Sequence, residues 1–148
     1  MGRGLESANL QERLHALAAF LPRLEQPDFE FGKWVNPATE EPGVIVMGYY
    51  DFSETAEAFV KMAYDAGWVL SDFDWSAWAQ TAEAAGFRDS PDALAQATAE
   101  QLARLLTVVI RQDRFCDGAI ASAYESGLLT GIVRRAGQLE SEATMGQS

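Results

Sequence analysis

The residues Arg111-Gln112-Asp113-Arg114-Phe115-Cys116-Asp117-Gly118 gather two arginines, two aspartates and the only cysteine of the chain where the pattern predicts a helix end. Arg111 and Arg114 lie three apart and share a helix face, so their planar donor forks can clamp a carboxylate or a phosphate. The competing role is structural, because arginines in a last helical turn complement the exposed carbonyls and pair with nearby acids, here Asp113, Asp117 or Glu125. Asp113 falls on the apolar side of its helix, where a carboxylate must find a partner to offset its lost hydration. A cation beside it would make an architectural lock, and an open cleft would make it a general-base candidate.

A second concentration is Ser71-Asp72-Phe73-Asp74-Trp75-Ser76-Ala77-Trp78. Trp75 and Trp78 share a helix face and can line a ligand pocket, although large aromatics at this spacing more often anchor a core. Asp72 and Asp74 could join Asp51 around a divalent cation through hard oxygen ligands, but the twelve-residue calcium loop is absent and Asp74 is needed as a helix cap. No metal and no cofactor is therefore expected. Cys116 would need a base to act as a nucleophile, and the sole histidine, His15, stands far upstream without an evident orienting partner. No Gly-x-Ser-x-Gly elbow, Walker loop or Gly-x-Gly-x-x-Gly turn occurs, which disfavours the common nucleotide enzymes and leaves no residue assigned as catalytic.

The elements that must hold these residues are mostly helical. Leu10, Leu14, Leu17, Leu21 and Leu24 form a stripe that Pro22 interrupts, so the first helix should end or kink near Phe20. Pro and Gly between Gln26 and Gly43 break regular structure, and the β-branched run Val44–Met47 predicts a strand pairing with the Phe29–Val35 region. Asp51 or Ser53 should cap a helix ending at Gly67, Asp74 a short helix stopped by Gly86, and Ser90-Pro91 a further turn. Thr98 and Gln101 form a capping box ahead of the stripe Leu102, Leu105, Leu106, Val109 and Ile110, with Arg104, Thr107, Arg111 and Arg114 on the opposite side. Gly118 breaks that helix, and Asp117 can cap the next, which carries Ile120, Ala123 and Tyr124. A last amphipathic helix runs from Leu128 to Leu139. The expected fold is mainly α: a compact multi-helix domain of five or six helices over residues 1–139, with room for a small two-stranded β-hairpin and a flexible tail at 140–148. Its core should centre on Trp75, Trp78, Leu102, Leu106, Val109, Ile132 and Val133.

Composition narrows the partners. With 148 residues and 48% hydrophobic content, the chain suits one domain and one core. Its formal charge of −11 repels phosphate backbones and anionic lipid, so nucleic acid is a disfavoured partner and an anion could be held only in a shielded pocket. One cysteine excludes an intrachain disulfide. No run reaches the roughly 20 apolar residues that span a bilayer, and the N-terminus lacks a basic-then-apolar signal pattern, so a cytoplasmic protein without membrane contact is expected.

The words Phe73-Asp74-Trp75 with Trp78, and Arg111 through Gly118 as Arg-x-x-Arg-Phe-Cys-acid-Gly, followed by Glu125-x-Gly127, resemble a bacterial family classed as a domain of unknown function. The resemblance spans about Tyr49 to Leu139. Members of that family often carry glutamate where Asp117 stands and histidine where Ala119 stands; the second departure takes an imidazole away from this locus. The resemblance implies no activity. The residues together favour a non-enzymatic interaction domain, or one binding a small anionic ligand through Arg111, Arg114, Asp113, Asp117, Trp75 and Trp78, with homodimerisation compatible. The alternative is a small hydrolase-like enzyme using the carboxylates near Arg111 and Arg114.

Overall fold

Leucines at alternating spacings of four and three turn one face of the first helix inward, and Leu14 and Leu17 are fully buried along it. A computed structural model of the chain describes residues 7–27, 29–35, 43, 48–113 and 118–145. In it α1 (Ser7–Ala18) stops before Pro22, which opens the single turn α2 (Leu21–Leu24), where its missing N–H needs no partner.

Two strands follow, β1 (Gly32–Val35) and β2 (Tyr49–Phe52), paired antiparallel with Gly32 opposite Phe52 and Trp34 opposite Tyr50. The sheet forms, but the partner of β1 is the aromatic Tyr49–Phe52, not the expected Val44–Met47, which lies outside the described residues. Aromatic packing is the physical reason. Phe31, just before β1, meets Phe52 edge-on at 5.9 Å and stacks on Tyr124 at 5.4 Å, while Trp34 meets Tyr50 at 5.3 Å.

Ser53 caps α3 (Glu54–Asp65) by accepting the Ala56 N–H at 3.2 Å. The helix ends in a Schellman turn: Gly67 adopts φ +81°, its N–H reaches the Tyr64 carbonyl, and the Trp68 N–H reaches the Ala63 carbonyl. Trp68 is thereby thrown into the centre of the molecule, fully buried, its indole N–H donating to the Arg13 carbonyl at 3.1 Å.

Past Asp74, two helices stand where one was expected: α4 (Trp75–Ala79) and α5 (Ala82–Asp89). Thr81 restarts the chain by accepting the Ala84 N–H, and Gly86 lies inside α5 instead of ending a helix. Ser90 and Pro91 open α6 (Pro91–Leu94) as expected. The longest buried stripe belongs to α7 (Ala99–Asp113), entered through the reciprocal Thr98–Gln101 box at 2.9 and 3.2 Å. Leu102, Leu105, Leu106, Val109 and Ile110 are all buried along it. After Gly118 come α8 (Ala119–Glu125) and α9 (Leu128–Met145). The last helix packs along α1 and continues beyond Leu139 to Met145, within the stretch expected as tail, of which 146–148 lie outside the described residues, and His15 meets Glu140 across the pair at 2.7 Å. The fold is thus mainly helical with one small antiparallel sheet. Trp78, Leu102, Leu106, Val109, Ile132 and Val133 are in its core, whereas Trp75 is only partly buried.

Candidate functional site

Thr107, expected on an outward face with Arg104 and Arg111, is completely buried. The segment from Trp68 to Phe73 lies across that side of α7. Thr107 Oγ1 accepts the Leu70 N–H at 2.9 Å and donates to the Ala103 carbonyl at 2.7 Å. Arg111 Nη2 donates to the Leu70 carbonyl at 3.4 Å, and its buried Nε has no hydrogen-bond partner among the described residues. Arg104 lies over the Phe73 ring at 5.7 Å. The polar side of α7 therefore works as a second packing face.

Asp113 does find a partner, and among the described residues it is backbone N–H, not a cation. Its Oδ1 accepts the backbone N–H of Gly118 at 3.1 Å and of Ile120 at 3.2 Å, so the carboxylate of one helix caps the next. The N-cap position of α8 is held by Gly118, at φ +97° and without a side-chain cap of its own, not by Asp117. Arg114, Phe115, Cys116 and Asp117 lie outside the described residues. Burial first, then the carboxylates of Glu125, Glu30 and Asp113, push the nearby Tyr50 hydroxyl above its ordinary pKa.

An open groove lies on another side of α7. It holds about 370 Å³ between α4 and α5 on one wall and α8 on the other, with Leu105, Val108 and Val109 of α7 along its floor. Trp78 lines it and is held there by its indole N–H, which donates to Glu83 Oε1 at 2.9 Å. Glu83 Oε2 accepts from the Gln101 amide at 2.8 Å, with Arg104 4.0 Å from the carboxylate. The Trp78 and Gln101 hydrogen bonds hold the Glu83 carboxyl below its usual pKa, with Arg104 adding to the effect.

Arg88 of α5 stands where three depressions adjoin. It lines the Trp78 groove, a hollow of about 400 Å³ beside Trp75 and Gln112, and a cleft of about 270 Å³ between α6 and α9. Arg88 is exposed and makes no hydrogen bond or ion pair among the described residues. Sequence reasoning missed it, because it sits alone in α5 and gains its setting only from α8 and α9. Of the residues singled out in sequence, the structure brings Trp78 and Trp75 beside this arginine through the shared Ala79 and Gln112, and leaves Arg111 and Asp113 engaged with backbone groups. Among the described residues no cluster of histidine, cysteine and acid side chains could hold a metal ion. Among them, too, no helix is long and apolar enough to cross a membrane.

Fold and groove define a mainly helical protein with a small aromatic sheet and an arginine-rimmed apolar groove. The chain belongs to DUF6508, a family of unknown function, whose profile matches residues 9–142. Neither curated proteins nor solved structures give a match to the chain.

Proposed function

We propose that this protein is a binding module for a small ligand with an apolar body and an anionic group, seated in the Trp78 groove with its charge on Arg88. The observation that carries this reading is Arg88 itself, an exposed guanidinium without a partner among the described residues, at the junction of three depressions in a chain of net charge −11. The groove volume of about 370 Å³ falls within the few-hundred to thousand Å³ typical of small-molecule sites, and its lining is mostly apolar with a few convergent polar groups. Trp78 lines that groove, Trp75 lines the adjoining hollow, and the anion-binding guanidinium is that of Arg88, not Arg111. An overall negative field discourages polyanions and leaves small anions the better fit.

The test is thermal stabilisation and calorimetry with a panel of small apolar carboxylates and phosphate esters. A ligand at about 100 times its Kd should stabilise the fold by about 2.7 kcal/mol. Arg88→Ala should remove most of that stabilisation while leaving the unliganded melting temperature nearly unchanged, since the side chain is exposed and unpaired. An inert panel, or an Arg88→Ala protein that still binds at full strength, would overturn the reading.

A further inference from the structure

The anionic group on that ligand can be narrowed, on the footing that the Trp78–Arg88 groove binds one at all. Arg88 is shared with the cleft between α6 and α9, and that cleft adds Arg134 and Arg135. Three of the chain's eleven basic residues thus converge on one hollow, and no acidic side chain among the described residues lines it. The other polar lining groups are Ser126 and Gln138.

Each guanidinium differs in how it is held. Arg135 is 14% exposed, its Nε donating to the Ala97 carbonyl at 2.8 Å, with Gln138 at 3.3 Å and Glu142 at 3.4 Å from Nη1. The short bond fixes the fork in place and the longer ones leave donor capacity. Arg134 pairs with Glu25 at 2.6 Å, but both side chains are about half exposed, and an ion pair of that kind exchanges readily for a better partner. Arg88 carries no partner among the described residues.

A carboxylate has two oxygens and one charge, which a single guanidinium satisfies. A phosphate monoester carries about −1.5 to −2 charges and three terminal acceptor oxygens, and it is the group that gains from two or three converging forks. We infer that the ligand is a phosphate monoester of an apolar body, the body lying in the Trp78 groove and the phosphate in the Arg88–Arg134–Arg135 cleft.

Titration calorimetry of the full chain with octyl phosphate, octanoate and inorganic phosphate tests this. Octyl phosphate should bind about tenfold or more tightly than octanoate, and more tightly than inorganic phosphate, which lacks the body. Arg134→Gln should bring octyl phosphate toward octanoate while changing octanoate affinity less than about twofold. Glu25→Gln breaks the same ion pair without removing the guanidinium, and should leave octyl phosphate binding equal or tighter, which a purely structural role for the pair would not produce.

If octanoate binds and octyl phosphate is no tighter, the phosphate assignment falls and the groove reading stands. If none of the three probes binds, both fall. Sedimentation with phosphatidate-containing vesicles, without binding of octyl phosphate in solution, would assign the cluster to a membrane surface and overturn the inference.

Discussion

A hydroxyl buried in an apolar helix face is tolerated only when its hydrogen bonds are made, and Thr107 makes them across 37 residues of chain, to Leu70, as well as to Ala103 on its own helix. Thr107→Val keeps the shape but takes the acceptor from the Leu70 N–H, so it should destabilise the protein by about 1–3 kcal/mol in urea unfolding, whereas Thr107→Ser should retain much of that contribution. Equal stability of the Val variant would show that Leu70 finds another partner. Glu83 serves in the same way from the surface, holding the Trp78 indole and the Gln101 amide. Its carboxyl titrates lower in the folded protein than in the unfolded chain, so its stabilising contribution is complete above the ordinary carboxylate pKa and is lost as pH falls through the folded value. The difference in melting temperature between wild type and Glu83→Gln should accordingly be largest near neutrality and shrink as pH falls through the folded carboxyl's titration. The side chain is 40% exposed, so the effect is modest. A gap that widened in acid would contradict the assignment.

One helix here is capped by a side chain of the helix before it. Asp113 ends α7 and caps α8, so Asp113→Ala should cost about 1 kcal/mol, while Asp113→Asn, whose amide oxygen can accept the same N–H groups, should keep most of that stability; calorimetric melting of both variants separates cap from charge. Equal losses in the two would point to the carboxylate charge. Local signals of this kind were partly legible in the sequence. Ser53, Ser90 and the Thr98–Gln101 box act on residues three positions away, and each caps the helix it was expected to cap. Asp74 does too, but its helix stops at Ala79, because Thr81 offers a second cap within the same apolar pattern. What escaped were features set by distant chain. Thr107 reads as polar and outward until the Trp68–Phe73 segment covers it. Trp68 has no periodicity, since it follows the glycine of a Schellman turn. The β-branched Val44–Met47 looked the better strand, yet the pairing with β1 goes to Tyr49–Phe52, where Phe52 meets Phe31 and Tyr50 meets Trp34. For the site, the tryptophans were visible as a pair, but Arg88 acquires its setting only once α5, α8 and α9 are assembled.

At the scale of the molecule, twice as many acids as bases leave a surface that repels itself. Its described ion pairs are few and mostly exposed, so screening removes more repulsion than attraction. The melting temperature should therefore rise when salt is increased from about 10 mM to about 150 mM, a range over which the Debye length falls from about 30 Å to about 8 Å. A fall would mean that the pairs outweigh the net charge. The sheet touches the start of α8 at Gly118. There the ring of Trp34 lies over Gly118 so closely that a Cβ at that position would approach its Cζ2 to 2.7 Å. Trp68 and Trp78 are shielded from water and Trp75 partly so, whereas Trp34 is 55% exposed. The chain thus carries its own optical gauge: a dissolved quencher meets Trp34 long before the buried indoles, and the emission it removes first is the light that reports whether sheet and helices are still in register.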